Sequence, residues 1–197
     1  MSDLTFREKG HVYMVDGEEV PSVSDLCRFI SREVYKDAPP WKMEAAAVRG
    51  TAVHAAAQAL DASGRCEIDA EYSSYIMAYR AFLGAHSVSW SLIEKPMYHP
   101  EHRYAGTIDR YGLIDGRAAL VELKTTYAIM KPLVCAQTNL YRLLLIAKGL
   151  PVDRLYVLHL KKDGKYRLAP VEINERLAYA LITLHNALKK KRRKRNV

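Results

Sequence analysis

Two carboxylates and one ammonium group lie on the strands of a predicted β-hairpin in the middle of the chain. Asp115 and Gly116 form a favoured two-residue hairpin turn, because type I′ geometry needs a positive φ at both central positions. Counting outward from this turn, Asp109 on the first strand faces Glu122 on the second. Side chains alternate between the two faces of a strand, so Lys124 lies on the same face as Glu122. The spacing therefore predicts a cluster of two acids and a base.

The remaining residues of this hairpin divide between its two faces. Thr107 faces Lys124 and extends the polar side, whereas Ile108, Val121 and Leu123 occupy the other face and suit a core. Like charges placed directly opposite each other destabilise a sheet, so the two carboxylates favour a site for a divalent cation with oxygen ligands. The alternative is a surface hairpin with ordinary charges, and a three-residue loop would change the register.

These residues also belong to a set of four ordered motifs. Asp109 followed by Glu122-Leu123-Lys124 resembles the signature of the PD-(D/E)XK nuclease superfamily, in particular its RecB-like and phage-exonuclease branch. That branch pairs a Gly-Thr-x-Asp strand with a Glu-x-Lys strand, here residues 106–109 and 122–124. It adds an upstream Gly-x-x-x-His, here residues 50–54, and a downstream Gln-x-x-x-Tyr, here residues 137–141. A lone Glu-x-Lys is a weak signal, whereas the ordered set of four is strong.

The resemblance implies a role for each matching residue. The implied metal ligands are His54, Glu94, Asp109, Glu122 and the carbonyl oxygen of Leu123, and the implied catalytic residues are Asp109, Glu122, Lys124, Gln137 and Tyr141. In this branch the last two residues orient the lysine or contact the DNA backbone.

Each of these assignments has an ordinary structural alternative. By itself His54 would be read as a core or surface histidine, and Glu94 as an exposed glutamate paired with Lys95 or Arg103. Gln137 and Tyr141 share one helical face and could simply face solvent.

The fold class expected is α/β, or α+β by a stricter definition, with a mixed central β-sheet flanked by helices. The resemblance implies a restriction-endonuclease-like core in which the sheet lies between the helix of His54 and the helix of Gln137. Hydrophobic periodicity and turn signals predict the main elements. The predicted helices cover about 42–62, 70–86, 133–147 and 174 onward, and the predicted strands cover about 4–8, 11–15, 88–98, 152–160 and 165–170. We expect one nuclease domain over residues 1–188, beginning with a hairpin, and a basic tail over residues 189–197.

Composition limits the class of protein. Hydrophobic residues make up 49% and charged residues 26% of the 197 residues, as in soluble globular proteins. The sequence has neither an apolar run of membrane-spanning length nor a signal-peptide layout, which predicts a protein of the cytoplasm of a bacterium or phage-infected host. Some RecB-like relatives carry a four-cysteine iron–sulfur cluster, which the three scattered cysteines here exclude.

The excess of positive charge is concentrated at one end of the chain. Residues 189–195 are seven consecutive cations, and removing these seven from the net charge of +8 leaves +1. The charge favours a polyanionic partner, although a solvated end would look the same.

Together these observations predict a Mg²⁺-dependent deoxyribonuclease in which Mn²⁺ substitutes. The resemblance favours an exonuclease of phage or prophage recombination, with a single-strand annealing protein or a helicase as a possible partner. An endonuclease of the same superfamily would carry the same core residues. A catalytically dead nucleic-acid-binding module and a basic-tailed interaction protein also remain open.

Overall fold

A five-stranded mixed sheet lies at the centre of the protein, in a computed structural model that describes residues 3–7 and 10–195, with side chains up to Lys189. The strand order is β4-β5-β6-β7-β8, and every neighbouring pair is antiparallel except β6 and β7, which run parallel. The strands are β4 (Val88–His99), β5 (Tyr104–Ile114), β6 (Arg117–Lys124), β7 (Arg154–Leu160) and β8 (Tyr166–Val171). The predicted mixed sheet is therefore confirmed.

Helices cover both faces of this sheet. They are α1 (Val23–Leu26), α2 (Arg28–Val34), α3 (Pro40–Ser63), α4 (Ser73–Ala85), α5 (Lys131–Ile146) and α6 (Glu175–Arg195), with a 3₁₀ turn at Ala70–Tyr72 before α4. Helix α3 begins at Pro40, whose fixed φ suits the first turn, and ends at Gly64 in the left-handed conformation, with φ 73°. Helix α3 therefore ends where its sequence signal predicts.

Each face of the sheet has its own apolar core. On one side α5 packs on β5 and β6 through Tyr104, Ile108 and Leu120, all of them fully buried. On the other side α3 and α4 pack on Val121 and Leu123. The aromatic stripe of α4, including Tyr79 and Phe82, belongs to this second core. The predicted position of the sheet between the His54 helix and the Gln137 helix is thus confirmed.

The register of the central hairpin agrees with the prediction as far as Arg110, where the ladder ends. The predicted pairs Asp109–Glu122 and Thr107–Lys124 are therefore not part of the ladder, and the faces of the hairpin do not fully agree with the prediction either. Ile114 pairs with Arg117, and the ladder continues to Arg110 opposite Val121. The expectation that Ile108 shares a face with Val121 is wrong, because Ile108 packs under α5 whereas Val121 packs under α3 and α4. The regular alternation fails between residues 108 and 110.

The neighbouring strand is irregular at the same level. Ile93 pairs with Arg110 and Lys95 pairs with Ile108, and between these pairs Glu94 adopts a φ of +44°. A left-handed residue is not extended, so the pleat of β4 is interrupted opposite Asp109, where the residues on either side of Asp109 face opposite cores. Asp109 therefore lies where the sheet is irregular.

A small sheet precedes the central one. The predicted N-terminal hairpin is present as β1 (Leu4–Arg7) and β2 (Val12–Val15), and β3 (Glu18–Val20) extends it to three antiparallel strands. It is joined to β5 by a hydrogen bond of 2.9 Å from the Ala105 amide to the Pro21 carbonyl, and by Tyr13, which packs beside Ala105.

At the other end of the chain, α6 continues through most of the predicted basic tail. The described part of the chain does not include the side chains of α6 after Lys189, nor residues 196 and 197. Among the described residues, the helices are all too short or too polar to cross a membrane. The division into one domain and a tail stays a prediction.

Candidate metal centre

Asp109 lies on β5 immediately before the residue at which the β5–β6 ladder ends. Its Oδ2 accepts a hydrogen bond of 2.8 Å from the backbone N–H of Leu123. The side chain thus satisfies a backbone donor that would otherwise be buried without a partner. This bond fixes the orientation of the carboxylate, which is only 8% exposed, and leaves Oδ1 available.

His54, Glu94 and Asp109 converge from three separate elements. The Nδ1 atom of His54 on α3 lies 3.0 Å from Oε1 of Glu94 on β4 and 3.8 Å from Oδ1 of Asp109. One ligand atom from each residue lies within 4.8 Å of the other two, so the three could hold a metal ion. The alternative pairing of Glu94 with Lys95 or Arg103 is not observed, because Glu94 faces inward.

Glu94 reaches this position at a conformational cost. A left-handed φ in a residue other than glycine costs about 1–3 kcal/mol and persists only where surrounding contacts enforce it. Such strain is typical of ligand-binding and catalytic positions. The strained backbone of Glu94 lies level with Asp109, which places both carboxylates beside His54.

Glu122 and Lys124 lie beside this cluster, near enough for their charges to shift the pKa of Asp109. Nζ of Lys124 donates a hydrogen bond of 2.7 Å to Oε1 of Glu122, whose side chain is almost completely buried. The second oxygen, Oε2, is buried without a hydrogen-bond partner among the described residues. A buried carboxylate oxygen that lacks a partner is costly, and a bound cation would offset that cost. The donor set therefore fits a hard divalent ion, which prefers carboxylate oxygens.

The pKa values of the site reflect this crowding of charge. Burial and the nearby Glu122 carboxylate raise the pKa of Asp109 to about 7. Burial lowers the pKa of His54, but the carboxylates of Asp109 and Glu94 outweigh it and raise the value to about 9. Burial also acts to lower the pKa of Lys124, but the carboxylates of Glu122 and Asp109 outweigh this effect and raise the pKa. The metal-free site thus retains protons that a bound cation would displace.

The Gly-Thr-x-Asp and Gln-x-x-x-Tyr motifs meet through direct packing. A Cβ added to Gly106 would lie 2.7 Å from Cε1 of Tyr141 and 2.9 Å from Cγ2 of Val23, so only glycine fits. Tyr141 is buried beside the site, and burial together with the Glu122 and Asp109 carboxylates raises its pKa well above the usual value.

The predicted roles of Gln137 and Tyr141 are less direct. Oε1 of Gln137 is buried without a partner, and the hydrogen bonds of the described residues include none from either side chain to Lys124. The solvent-facing alternative is wrong for Tyr141, and their predicted positioning of Lys124 stays a prediction. The Leu123 side chain lies in the core, and its carbonyl as a ligand also stays a prediction.

Gly50 lies inside α3, where a glycine suggests the close approach of another backbone or a ligand. Apart from the nearby backbone of α3 itself, nothing in the described part of the chain lies within 4 Å of an added Cβ. Protein packing therefore does not account for this glycine.

Two charged residues of the site were missed by the sequence reasoning. Arg110 directly follows Asp109, is completely buried, and contacts Glu94 and Asp61. An arginine within a largely apolar strand, directly after the candidate ligand Asp109, was the available signal. Asp61, seven residues after His54 on α3, gave no signal of its own.

Comparison with known proteins yields distant structural similarity only. No protein-family profile matches the sequence, and no curated protein matches it. Among solved structures, the chain is similar to the alkaline exonuclease LHK-Exo of Laribacter hongkongensis, with 15% identity, a TM-score of 0.42, and coverage of 88% of this chain and 93% of the other. The complex of LHK-Exo with dAMP gives 14% identity, a TM-score of 0.39, and coverage of 89% and 94%. Similarity at this level does not assign a function.

Proposed function

We propose that this protein is a metal-dependent nuclease that hydrolyses phosphodiester bonds of DNA. The observation that carries the proposal is the cluster of His54, Glu94 and Asp109, together with the buried Glu122 carboxylate, which is close enough to raise the pKa of Asp109 and whose Oε2 has no partner among the described residues. Of these residues, His54, Asp109, Glu122 and Lys124 also lie, in order, in the motifs that resemble the PD-(D/E)XK signature.

The charge of the cluster suits a divalent cation. Asp61, Glu94, Asp109 and Glu122 contribute four carboxylates, which Arg110 and Lys124 only partly offset. Two negative charges remain when His54 is neutral. We propose Mg²⁺ as the ion, with Mn²⁺ able to substitute, because both prefer oxygen-rich sites.

Asp109 and Glu122 would hold the ion, with His54, Glu94 and the Leu123 carbonyl as further candidate ligands. A divalent ion held by these residues would polarise the scissile phosphate and would lower the pKa of the attacking water. His54 must lose its proton to act as a ligand, since only a neutral imidazole nitrogen can coordinate.

Lys124 acts on the same phosphate as a positive donor. Its carboxylate neighbours raise its pKa, which favours the charged form over a general base. Its Nζ orients the water and stabilises negative charge that develops on the phosphate. Glu122, hydrogen-bonded to Nζ at 2.7 Å, keeps the ammonium group at the site.

We propose further that the protein is an exonuclease of phage or prophage recombination. This part of the proposal is supported by the motif resemblance, which is to the RecB-like and phage-exonuclease branch. The annealing or helicase partner and the cytoplasmic location stay predictions from the sequence.

A cleavage assay tests the proposal. Labelled linear and circular DNA are incubated with the protein in Mg²⁺, in Mn²⁺ or in EDTA, beside Glu122→Gln and the surface control Glu33→Gln, which changes an exposed glutamate on α2. We expect degradation of linear DNA only, dependent on metal, abolished by Glu122→Gln and retained by Glu33→Gln.

The other outcomes identify the alternatives. Cutting of the circle identifies an endonuclease. Binding without products under every metal condition contradicts the proposal and favours a nucleic-acid-binding module.

A further inference from the structure

A buried arginine connects the candidate metal centre to the core of the protein. The Arg110 side chain is completely inaccessible to solvent. Its Nη1 donates to Oε1 of Glu94 at 2.8 Å and to the backbone carbonyl of Asp109 at 2.6 Å. One guanidinium nitrogen thus contacts the side chain of one candidate ligand and the backbone of another.

The opposite edge of the guanidinium is anchored on α3. Nε of Arg110 donates to Oδ2 of Asp61 at 2.7 Å, and the Asp61 side chain is 3% exposed. The Tyr79 hydroxyl donates to Asp61 as well, at 2.8 and 2.9 Å, and itself accepts a hydrogen bond from the Trp90 indole at 3.1 Å. Asp61 is therefore held on several sides, which fixes the guanidinium in turn.

The anchor and the metal site share one helix. His54 and Asp61 are seven residues apart on α3, about two turns, so their side chains project from the same face. The contacts therefore form a closed ring. Helix α3 contributes His54 and Asp61, Arg110 joins Asp61 to Glu94, and Glu94 contacts His54. Glu94 Oε1 accepts from Arg110 and also lies 3.0 Å from His54 Nδ1.

We infer that Arg110, anchored by Asp61, is a positioning residue that holds Glu94 in its left-handed backbone conformation and aims its carboxylate at the metal. The inference rests on the proposed metal-dependent function and extends it to residues that do not touch the ion.

Stability alone does not account for this arrangement. Burial of ionised pairs carries a large desolvation cost, and well-packed apolar residues are often as stabilising or more so. The ion pairs instead fix the geometry, because the planar guanidinium constrains both carboxylates that it contacts. Residues that orient metal ligands in this way typically change metal affinity 10–100-fold when they are replaced.

Mn²⁺ affinity of the metal-free protein tests the inference, measured by isothermal titration calorimetry without DNA. We expect Arg110→Met to weaken Mn²⁺ binding about 10–100-fold relative to wild type. The matched control is Arg142→Met, which breaks the ion pair from α5 to Glu175 on α6. This control should bind Mn²⁺ as wild type does.

A double variant separates positioning from stability. Removing Arg110 alone leaves Asp61 buried without its counter-ion, which can unfold the protein. Asp61→Leu combined with Arg110→Met replaces the pair with apolar side chains, and its unfolding midpoint in EDTA should recover toward wild type. Its Mn²⁺ affinity should stay at least tenfold weaker, because Glu94 then lacks the guanidinium that orients it. If Arg110→Met does not fold, the double variant decides alone.

The results distinguish the inference from the proposed function. Mn²⁺ affinity that recovers together with stability in the double variant shows that Arg110 acts only on folding and overturns the inference. Wild-type affinity in Arg110→Met overturns it as well, while leaving the metal site intact. Absence of Mn²⁺ binding to the wild-type protein overturns the metal site itself, and with it the inference.

Discussion

Replacing Asp109 with asparagine should stabilise the metal-free protein at pH 8 and abolish metal-dependent cleavage. Asp109 is buried close to the Glu122 carboxylate, and both effects raise its pKa. Asparagine has nearly the same shape, and its amide oxygen can still accept the hydrogen bond from the Leu123 N–H. The substitution therefore removes an unfavourable charge while preserving the packing.

The size of the effect follows from the pKa of Asp109. The value rises from 3.8 to about 7 on folding, and one pKa unit corresponds to about 1.4 kcal/mol, so ionisation costs the metal-free fold on the order of 4 kcal/mol. The new NH₂ group of asparagine needs a partner and offsets part of this gain. We expect a net stabilisation of about 1–2 kcal/mol, or roughly 3–6 °C in the melting temperature of a chain of this size.

The direction of this pKa shift determines how the stability of the wild-type protein changes with pH. Below pH 3.8, Asp109 is protonated in both the folded and the unfolded wild-type protein. Between pH 3.8 and about 7 the folded state retains a proton that the unfolded state releases, so wild-type stability falls as pH rises through this window. The advantage of Asp109→Asn should therefore be greatest above pH 7 and shrink toward pH 4.

Thermal melts in EDTA and in Mn²⁺ measure this effect. The control is Asp37→Asn, an exposed aspartate in the loop before α3, which should melt as wild type at every pH. Mn²⁺ should raise the wild-type midpoint by mass action and raise that of Asp109→Asn much less. A variant that is destabilised at pH 8, or that gains as much from Mn²⁺ as wild type, would refute the reasoning.

Four further predictions concern other parts of the molecule. Glu122→Gln and Lys124→Ala should each abolish hydrolysis and leave DNA binding nearly unchanged in a gel-shift assay, and near-normal cleavage by either would contradict the mechanism. His54→Ala should weaken Mn²⁺ binding and regain activity at high Mn²⁺, whereas unchanged activity at low Mn²⁺ would remove the histidine from the site. Gly106→Ala should destabilise the fold by about 1–3 kcal/mol in urea, because the added Cβ overlaps a buried tyrosine ring, and an unchanged midpoint would show that the ring can move. Deleting residues 189–197 should weaken DNA binding and flatten its dependence on salt, since fewer counterions are released, and an identical slope would exclude the tail from the interface.

Local chemistry was sufficient to predict the hairpin and its register. The Asp115-Gly116 turn occurs with φ values of 50° and 78°, and it sets the pairing of the two strands as far as Arg110. Turn type determines register in a two-residue hairpin, so no tertiary information was needed. The convergence of His54 and Glu94 on Asp109 was expected only through the resemblance, because no local rule joins residues on three separate elements.

Tertiary contacts decided the features that the sequence reasoning missed. Ile108 departs from regular alternation at the level of the left-handed residue Glu94 on the neighbouring strand, and a sequence pattern cannot anticipate such a residue. The ion pair of Arg110 with Asp61 joins residues 49 positions apart in the sequence, and its burial is a property of the assembled core. Both features surround Asp109, consistent with the departure of functional sites from local rules.

The position of a bound ion tests the central claim most directly. Crystals soaked in Mn²⁺, at a concentration at which the protein cleaves DNA, should show anomalous scattering between the carboxylates of Asp109 and Glu122, beside His54. The Oε2 atom of Glu122, which lacks a partner in the metal-free protein, should be among the ligands. Anomalous density that is absent from this position, or present only elsewhere on the protein, would contradict the account.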